Sequence, residues 1–497
     1  MSQPDQGSPF RQLAGNAGIT IGALVLFSWI QFSGPFLTGD DPFYHVGAAS
    51  LYAKEGLVKS FPWTQCSIQK DGFADRHFLF HVGMIPFLWK DSIQGAKAYA
   101  VILATACVLV FALMLHSFRV PHVWLWVLLL FSSGSFFLYR FSVVRPQICA
   151  VAFALLSFWA ICRERPLWVF MASLFSFLFY SSAHLAVLLA VFYAAVVYVK
   201  ERRLAWKPLA AAAAGLALGV LVHPHSPSIA RTWFVQNFLV LYHSLAGTPG
   251  LNLGAELGPP QADEFVKACP VLLVACLGII FWTLAKGRSL GKEATTAFLT
   301  MCAFVALTFL SKRFIEYAAP FMCLFVALAF ASIWSPPEKG SRKARALVLV
   351  LLALPASLFA AKTAYETHRV IANVRSPELK PAALWLLSNS KKGDIVFTCD
   401  WDDFPQLFFF NRQNYYLVNA DPTFFLAYDK KLFELWNQIR FGGRRDISLE
   451  ISNNFRAKYL LATNDFEAAI KNAQADNGLK EVFADGACHL FRVEQAP

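Results

Sequence analysis

Two adjacent aspartates, Asp40 and Asp41, follow the first apolar segment of the chain, residues 19–36. They lie in the sequence Gly-Asp-Asp-Pro-Phe-Tyr-His. Two neighbouring carboxylates are costly to keep charged, so the pair predicts a bound metal ion, a cationic substrate group or shared proton chemistry. An N-cap aspartate on a helix that begins at Pro42 would explain one of the two residues and leave the other unexplained.

The composition predicts a polytopic α-helical membrane protein. Of 497 residues, 57% are hydrophobic and only 15% are charged, and the chain contains 48 Phe and 14 Trp. Apolar segments separated by short basic loops are typical of helices that cross a hydrocarbon core of about 30 Å. Most basic clusters lie in these loops, so the net charge of +12 indicates membrane topology and not nucleic-acid binding.

About eleven spans are expected. The apolar block at residues 167–199 is too long for one crossing, and we divide it near residues 181–184. The predicted spans are residues 19–36, 96–115, 123–138, 148–162, 167–180, 183–199, 209–222, 271–284, 294–310, 315–333 and 347–361. Residues 77–89 are expected to form a re-entrant or interfacial helix, because charged residues flank too short an apolar run.

Five basic loops alternate along the chain, which places them and the N-terminus in the cytoplasm. Their charged residues are Arg119; Arg163 and Arg165; Lys200, Arg202, Arg203 and Lys207; Lys286, Arg288 and Lys292; and Lys339, Arg342, Lys343 and Arg345. The less ordinary polar residues, Asp40 and Asp41 among them, fall on the opposite face. We therefore expect a multi-pass membrane protein with its C-terminal domain outside the cytoplasm. The chain length and the lack of glycosylation-rich loops favour a bacterial inner membrane, which would place that domain in the periplasm.

The chain is predicted to have two domains. Residues 1–373 form the membrane domain, with a long first exterior loop at residues 37–76, and residues 374–497 form a small extracytoplasmic α/β domain. The candidate strands of that domain are residues 394–398, 415–418, 459–462 and 489–493, and its candidate helices are residues 376–390, 429–438 and 466–475. Cys399 and Cys488 lie at the edges of two candidate strands, and the sequence leaves open whether they form a disulfide.

This arrangement resembles the GT-C superfamily of membrane glycosyltransferases. The sequence from Asp40 to His45 is most similar to the Asp-Pro-Tyr-Tyr-His motif in the first exterior loop of oligosaccharyltransferase catalytic subunits. Protein mannosyltransferases and lipid A aminoarabinose transferases have a comparable acidic pair. The resemblance implies transfer of a sugar from a polyprenyl-phosphate carrier to a lipid, glycan or protein acceptor at the periplasmic membrane face, in the assembly of cell-envelope glycans.

The resemblance also implies roles for individual residues. Asp41 aligns with the aspartate that precedes proline in the motif, and it or Asp40 would act as the base that orients or deprotonates the acceptor. Arg313 is the preferred ligand of the donor phosphate, because a guanidinium group binds oxygen-rich groups through two parallel hydrogen bonds. Lys312, Arg140 and Arg145 are further phosphate-binding candidates. Side chains that extend from a span to the membrane surface are the alternative explanation for Lys312 and Arg313.

Further side chains are candidates for acceptor or metal binding. His77 and His81 are spaced i, i+4 and could share a helical face, and together with Asp40 and Asp41 they could bind a divalent metal. His45 and Asp75 are separate candidates for acceptor or metal binding. A zinc site at these residues is weighed against histidines packed at the base of the first loop. Asp402 and Asp403 follow the first C-terminal strand, where α/β domains often hold ligands, or they cap the helix that begins there.

The cofactor expectation has two alternatives. A divalent cation, Mg²⁺ or Mn²⁺, could be held by Asp40 and Asp41. The oligosaccharyltransferase subunits carry a second acidic pair in the next exterior loop, whereas residues 139–145 of this chain contain no carboxylate. That difference favours a simpler sugar on a lipid monophosphate, transferred with or without a metal.

Two other classes of function share the polytopic architecture. A transporter or flippase is expected to show inverted repeats and ionisable residues near the centres of spans. A non-catalytic subunit of a polysaccharide-assembly system could keep the fold without the chemistry. The polar residues of this chain are predicted to gather at one membrane face, which favours the transferase.

Overall fold

Helices account for most of the chain. The computed structural model describes residues 9–254, 256–333, 342–419 and 421–494. Up to residue 246 the α-helices are α1 Pro9–Gln31, α2 Asp41–Glu55, α3 Phe78–Met84, α4 Ser92–Ser117, α5 Val123–Phe131, α6 Ser135–Ser142, α7 Gln147–Cys162, α8 Pro166–Tyr180, α9 His184–Glu201, α10 Trp206–Val222, α11 Ser228–Phe234 and α12 Val240–Ala246. They continue with α13 Ala262–Ala268, α14 Pro270–Ala285, α15 Lys292–Leu310, α16 Ile315–Ile333, α17 Arg342–Ala372, α18 Lys380–Asn389, α19 Phe404–Phe410, α20 Thr423–Leu426, α21 Lys430–Arg440, α22 Ile447–Phe455 and α23 Glu467–Ala475.

The chain divides into two units, each built from three separate segments. The first, which we call the helical unit, comprises Met1–Pro35, Lys97–Val222 and Ala255–Asn373. The second, the mixed unit, comprises Phe36–Ala96, His223–Gly254 and Val374–Pro497. The predicted first loop, residues 37–76, and the C-terminal residues therefore belong to the same unit.

Six helices of the described chain are long and apolar enough to cross a membrane. They cover Gln12–Gln31, Ser92–Ser117, His184–Glu201, Lys292–Leu310, Lys312–Ile333 and Leu349–Ala372. Two bent helix pairs raise the number to eight if each pair is one span, and shorter apolar helices include Gln147–Cys162, Pro166–Tyr180 and Trp206–Val222. The predicted count of eleven spans is not confirmed, but the division of residues 167–199 into two helices is. Of the fifth basic loop, Lys339 and the side chains of Arg342, Lys343 and Arg345 lie outside the described residues.

A sharp bend breaks the segment predicted as one span at residues 123–138. Helices α5 and α6 meet at 96°, and Gly134 lies between them with a backbone φ of 97°. A Cβ atom on Gly134 would stand 2.1 Å from the carbonyl oxygen of Ala268, so only glycine fits this approach of two backbones. The predicted span is therefore two helices joined by a bend, an angle that apolar composition does not reveal.

Helix α16 lies at the centre of the helical unit. The segment Lys312–Ile333 is 89% buried. In contrast, most of each apolar segment at the two ends of this unit, Gln12–Gln31 and Leu349–Ala372, is not buried. Its apolar side chains join one continuous core with those of α4, α5, α7 and α15. The start of α16 is therefore held rigidly by its neighbours.

The mixed unit contains a five-stranded sheet in the order β2-β1-β3-β5-β4. Its strands are β1 Ile395–Thr398, β2 Tyr415–Tyr416, β3 Ala457–Thr463, β4 Leu479–Ala484 and β5 Cys488–Val493. Strand β1 pairs in parallel with β2 and β3, and β5 pairs antiparallel with β3 and β4. Four strands match the predicted candidates. The sequence missed β4, in which Lys480 and Glu481 interrupt the apolar pattern.

Residues of the first loop extend this sheet and complete its core. Thr64 forms a bridge with Tyr416 in β2, and the backbone N–H of Cys66 donates to the carbonyl of Leu417 at 2.6 Å. Apolar side chains of the loop, including Leu51, Phe61 and Phe73, pack with those of α18, α19 and the sheet. All ten cysteines have free thiols, Cys399 and Cys488 included.

We expect Gly134→Ala to lower the stability of the helical unit, by about 1–3 kcal/mol, because it combines a positive φ with a backbone clash. Gly278→Ala is the matched control, since no atom lies within 4 Å of a Cβ built there and alanine favours a helix interior. Thermal unfolding in detergent measures both. Equal midpoints for the two variants would contradict the requirement for glycine at the bend.

Candidate functional site

In the helical unit, arginine and glutamate side chains meet at the start of α16. Arg140, in α6, forms ion pairs with both Glu316 and Glu256, and it is 2% exposed. Arg145 approaches Glu256 at 3.1 Å. The sequence motif around Lys312 and Arg313 contained Glu316, but neither glutamate was predicted as a site residue. Glu316 could have been identified as a carboxylate at the start of an apolar span. Nothing in the sequence around Glu256 distinguishes it from other loop residues.

Arg313 belongs to the same group of charges. Its Nη2 donates to the Tyr180 hydroxyl at 3.0 Å, and its backbone N–H donates to the carbonyl of Glu256 at 3.2 Å. Burial raises the pKa of the Glu256 carboxyl, but Arg145, Arg140 and Arg313 outweigh burial and hold that pKa well below its usual range. Glu256 is therefore ionised at neutral pH.

We call Arg140, Arg145, Arg313, Glu256 and Glu316 the arginine cluster. Three guanidinium groups face two carboxylates, which leaves one positive charge in excess among these five side chains. Nη2 of Arg140 is buried and has no hydrogen-bond partner among the described residues. The cluster can therefore accept an anionic oxygen. Lys312 lies apart from this arrangement in a partly exposed pair with Glu264 at 2.9 Å.

In the mixed unit, Asp40 and Asp41 lie where α2 begins. Asp40 occupies the N-cap position, but its side chain makes no capping hydrogen bond. Its Oδ1 instead accepts from Nε2 of Gln406 at 2.7 Å. Burial raises the pKa of the Asp40 carboxyl, the hydrogen bond from Gln406 offsets this only in part, and neighbouring Asp41 raises it further. Helix capping therefore does not explain the pair.

Asp400, Asp402 and Asp403 form a second acidic stretch, at the end of β1 and the start of α19. Asp403 occupies the N-cap position of α19 without a side-chain capping bond. It is 6% exposed, and its Oδ2 has no hydrogen-bond partner in the part of the chain that the structure describes. Burial raises the pKa of Asp403 well above its usual value, with further contributions from Asp400, Asp402 and Asp40. The two acidic stretches therefore influence each other.

Three histidines from α2 and the first turns of α3 lie close together. His45, in α2, lies 2.8 Å from His81, measured between Nδ1 of the former and Nε2 of the latter. Nδ1 of His81 lies 2.6 Å from Oδ2 of Asp75, and the backbone N–H of His77 donates to Oδ1 of Asp75 at 2.9 Å. The ligand atoms of the three histidines lie within 4.8 Å of one another. Among the described residues, Asp40 and Asp41 do not belong to this group.

Neither a protein-family model nor a curated protein matches this sequence. Solved structures do resemble the chain. The oligosaccharyltransferase of Archaeoglobus fulgidus matches 97% of it at a TM-score of 0.65 and 12% identity, over 74% of that enzyme, and other structures of this enzyme hold dolichol-phosphate or Zn and sulfate. ArnT from Cupriavidus metallidurans, bound to undecaprenyl phosphate, matches 96% of the chain over 97% of its own length, at a TM-score of 0.56 and 12% identity.

A third similar structure is the arabinofuranosyltransferase AftD from Mycobacteria. It matches 97% of the chain over 40% of its own length, at a TM-score of 0.58 and 14% identity. All three proteins are GT-C glycosyltransferases, so the predicted resemblance to that superfamily is confirmed at the level of the fold. The apolar helices and these neighbours together indicate a multi-pass membrane protein.

Arg140→Met is expected to destabilise the helical unit by about 3–5 kcal/mol, because Glu316 would stay buried without its partner. Replacing both residues, as Arg140→Met with Glu316→Met, should restore part of that loss. Lys312→Met is the control, since its exposed pair with Glu264 is worth at most about 1 kcal/mol. Unfolding in detergent compares Arg140→Met, Glu316→Met, their combination and Lys312→Met with the wild type. Strict additivity of the two single changes would contradict a direct Arg140–Glu316 interaction.

Asp403→Asn is expected to stabilise the protein at pH 8. The raised pKa means that folding favours the protonated carboxyl, so the carboxylate lowers stability as the pH rises above its unfolded pKa of about 3.8. A neutral amide avoids that cost, and the gain should vanish near pH 4. A gain of about 1 kcal/mol corresponds to about 2–4 °C in the midpoint. Asp71→Asn, at an exposed position, should show no such pH-dependent gain.

Proposed function

We propose that this protein is an integral-membrane glycosyltransferase of the GT-C type, which transfers a sugar from a polyprenyl-phosphate carrier to a lipid, glycan or protein acceptor. The observation that carries the proposal is similarity of fold, along 96–97% of the chain, to three glycosyltransferases. The match to ArnT supports a carrier of the undecaprenyl-phosphate class, because it extends over nearly the whole of both chains and that structure holds undecaprenyl phosphate.

The arginine cluster supports the donor half of the reaction. When the bond between the anomeric carbon and the carrier phosphate breaks, the electron pair of that bond stays on a phosphate oxygen. One excess guanidinium charge suits this developing negative charge, and a buried group stabilises it more strongly than one in water. Arg313 is the proposed phosphate ligand, since both carboxylates of the cluster already form ion pairs with Arg140 or Arg145.

Asp41 is the proposed base. An acceptor hydroxyl attacks the anomeric carbon through its oxygen, and its proton moves to the Asp41 carboxylate. Asp40 suits this role less well, because its pKa is raised and its Oδ1 already accepts from Gln406. Asp40 is instead proposed to hold the start of α2 against α19, which orients Asp41.

A magnesium or manganese ion on the Asp40–Asp41 pair would compete with the hydrogen bond that Oδ1 of Asp40 accepts from Gln406. Hard divalent cations bind carboxylate oxygens, and one oxygen of this pair is already used in that bond. We therefore assign no step of the transfer to such an ion. The proposed location is a bacterial inner membrane, with the reaction on its periplasmic face. The face rests on the alternation of basic loops along the sequence, and the bacterial membrane on the chain length and the lack of glycosylation-rich loops.

Asp41→Asn should reduce sugar release about 10²–10⁴-fold with a panel of radiolabelled polyprenyl-phosphate sugars, because an amide cannot accept the proton. Arg313→Gln should reduce it about 10²–10³-fold. Asp71→Asn, an exposed aspartate of the same loop, should release sugar at the wild-type rate. The assay uses purified protein in detergent with an acceptor extract, with and without EDTA.

Three outcomes would change this interpretation. Wild-type rates for Asp41→Asn would remove Asp41 from the mechanism. Loss of activity in EDTA that added Mg²⁺ or Mn²⁺ restores would assign such an ion to the transfer step. A folded wild-type protein that releases no sugar from any donor would favour the transporter or the non-catalytic subunit instead.

A further inference from the structure

Three buried histidines of the mixed unit form a group whose chemistry the transfer reaction does not use. His45 lies in α2, His77 at the N-cap of α3 and His81 in α3. They are 3%, 5% and 0% exposed, and their ligand nitrogens lie within 4.8 Å of one another. Three imidazoles this close together, shielded from water, are unusual for purely structural packing, since each ring carries polar atoms that need partners.

Asp75 orients this group through its contacts with His81 and His77. Its Oδ2 lies 2.6 Å from Nδ1 of His81 and accepts from the Tyr52 hydroxyl at 2.9 Å, while its Oδ1 accepts from the backbone N–H of His77. Nδ1 of His81 therefore bears a proton, and its Nε2 points toward His45. A carboxylate that holds the far nitrogen of a histidine is the usual arrangement behind a metal-binding imidazole.

We propose that His45, His77 and His81 bind a zinc ion, with Asp75 as the positioning residue behind His81. Imidazole nitrogens favour zinc and similar transition metals, whereas Mg²⁺ and Mn²⁺ favour carboxylate oxygens, which are not among the three ligands. Three protein ligands leave the fourth tetrahedral position to a water molecule.

The spacing of the nitrogens is compatible with this metal. Zinc–nitrogen distances of about 2.0–2.1 Å in a tetrahedral site separate the ligand nitrogens by about 3.3 Å. The hydrogen-bonded separation of 2.8 Å between His45 and His81 must therefore widen by about 0.5 Å when zinc replaces the shared proton. A small rotation of one ring provides that change.

The consequence for the fold is a crosslink between α2 and α3. Helix α2 begins at Asp41, and His45 lies one turn further along the same helix. A zinc ion at His45 would fix the helix that carries Asp41, so the metal acts on position and not on the sugar. The inference is independent of the glycosyltransferase proposal, because metal binding is measured without any substrate.

The test is the metal content of the full-length protein, purified in detergent through a tag that contains no histidine and without chelator. After incubation with Zn²⁺ and desalting, mass spectrometry of the elements should find about one zinc per chain. His77→Gln and His81→Gln should each lower the bound zinc at least tenfold. Asp75→Asn should weaken zinc affinity about 10–100-fold in competition with a chelator. His489→Gln, outside the group, should bind as the wild type does.

A second measurement uses the wild-type chain alone, in case the variants fail to fold. Metal-free protein should gain thermal stability as Zn²⁺ is added, with a midpoint that rises with zinc concentration. Co²⁺ in place of zinc should give the visible absorption of a tetrahedral site. Substoichiometric zinc together with an unchanged midpoint would overturn the proposal and leave a hydrogen-bonded histidine group. Full zinc binding by His77→Gln and His81→Gln would overturn it as well.

Discussion

A buried guanidinium group is stable only where acceptors surround it, and Arg140 imposes this requirement on the helical unit. Its ion pairs with Glu316 and Glu256 join α6, the start of α16 and the loop before α13. Helix α6 reaches this position only because the chain turns at Gly134. The bend at Gly134 and the two glutamates therefore act together to bury the charge of Arg140. Because Arg140 and Arg145 pair with the glutamates, the positive charge of Arg313 remains in excess.

The buried carboxylates of the mixed unit differ in how many hydrogen-bond donors they have. Asp75 is fully supplied with donors by His81, Tyr52 and the backbone of His77. Asp403 is buried without a partner for Oδ2 in the described chain, and Asp40 has an amide donor where a cation would stabilise it better. Carboxylates kept in such surroundings lower the stability of the fold, and sites of chemistry are where proteins most often retain that cost. Asp75, with its donors in place, suits a positioning role, whereas Asp403 shows the uncompensated burial expected of a candidate functional carboxylate.

The sequence was sufficient for the membrane class, the fold family and most of the C-terminal elements. Apolar composition predicted a set of apolar helices, although not the number of spans, and alternation predicted four of the five strands. The bend at Gly134 was not predictable, since it depends on the approach of Ala268 from a distant segment. Pairing of the first loop with β2 was equally hidden, because residues 64–66 carry no strand pattern. At the candidate sites, the sequence identified the aspartates, histidines and arginines by type. It could not identify Glu256 or Gln406, whose importance comes only from the partners that the fold brings to them.

The hydrogen bond between Asp40 and Gln406 joins residues 366 positions apart. A second long-range hydrogen bond lies at the edge of the sheet, where the indole N–H of Trp63 donates to the carbonyl of Arg412 across 349 positions. During synthesis the first loop is made long before its partners, so its apolar residues and its open backbone edge stay uncovered until Gln406 and Arg412 have been made. Such long-range pairing is slow and exposes surface that aggregates. The aspartates at the start of α2 thus reach their final environment only after Gln406, 366 positions later, has been translated.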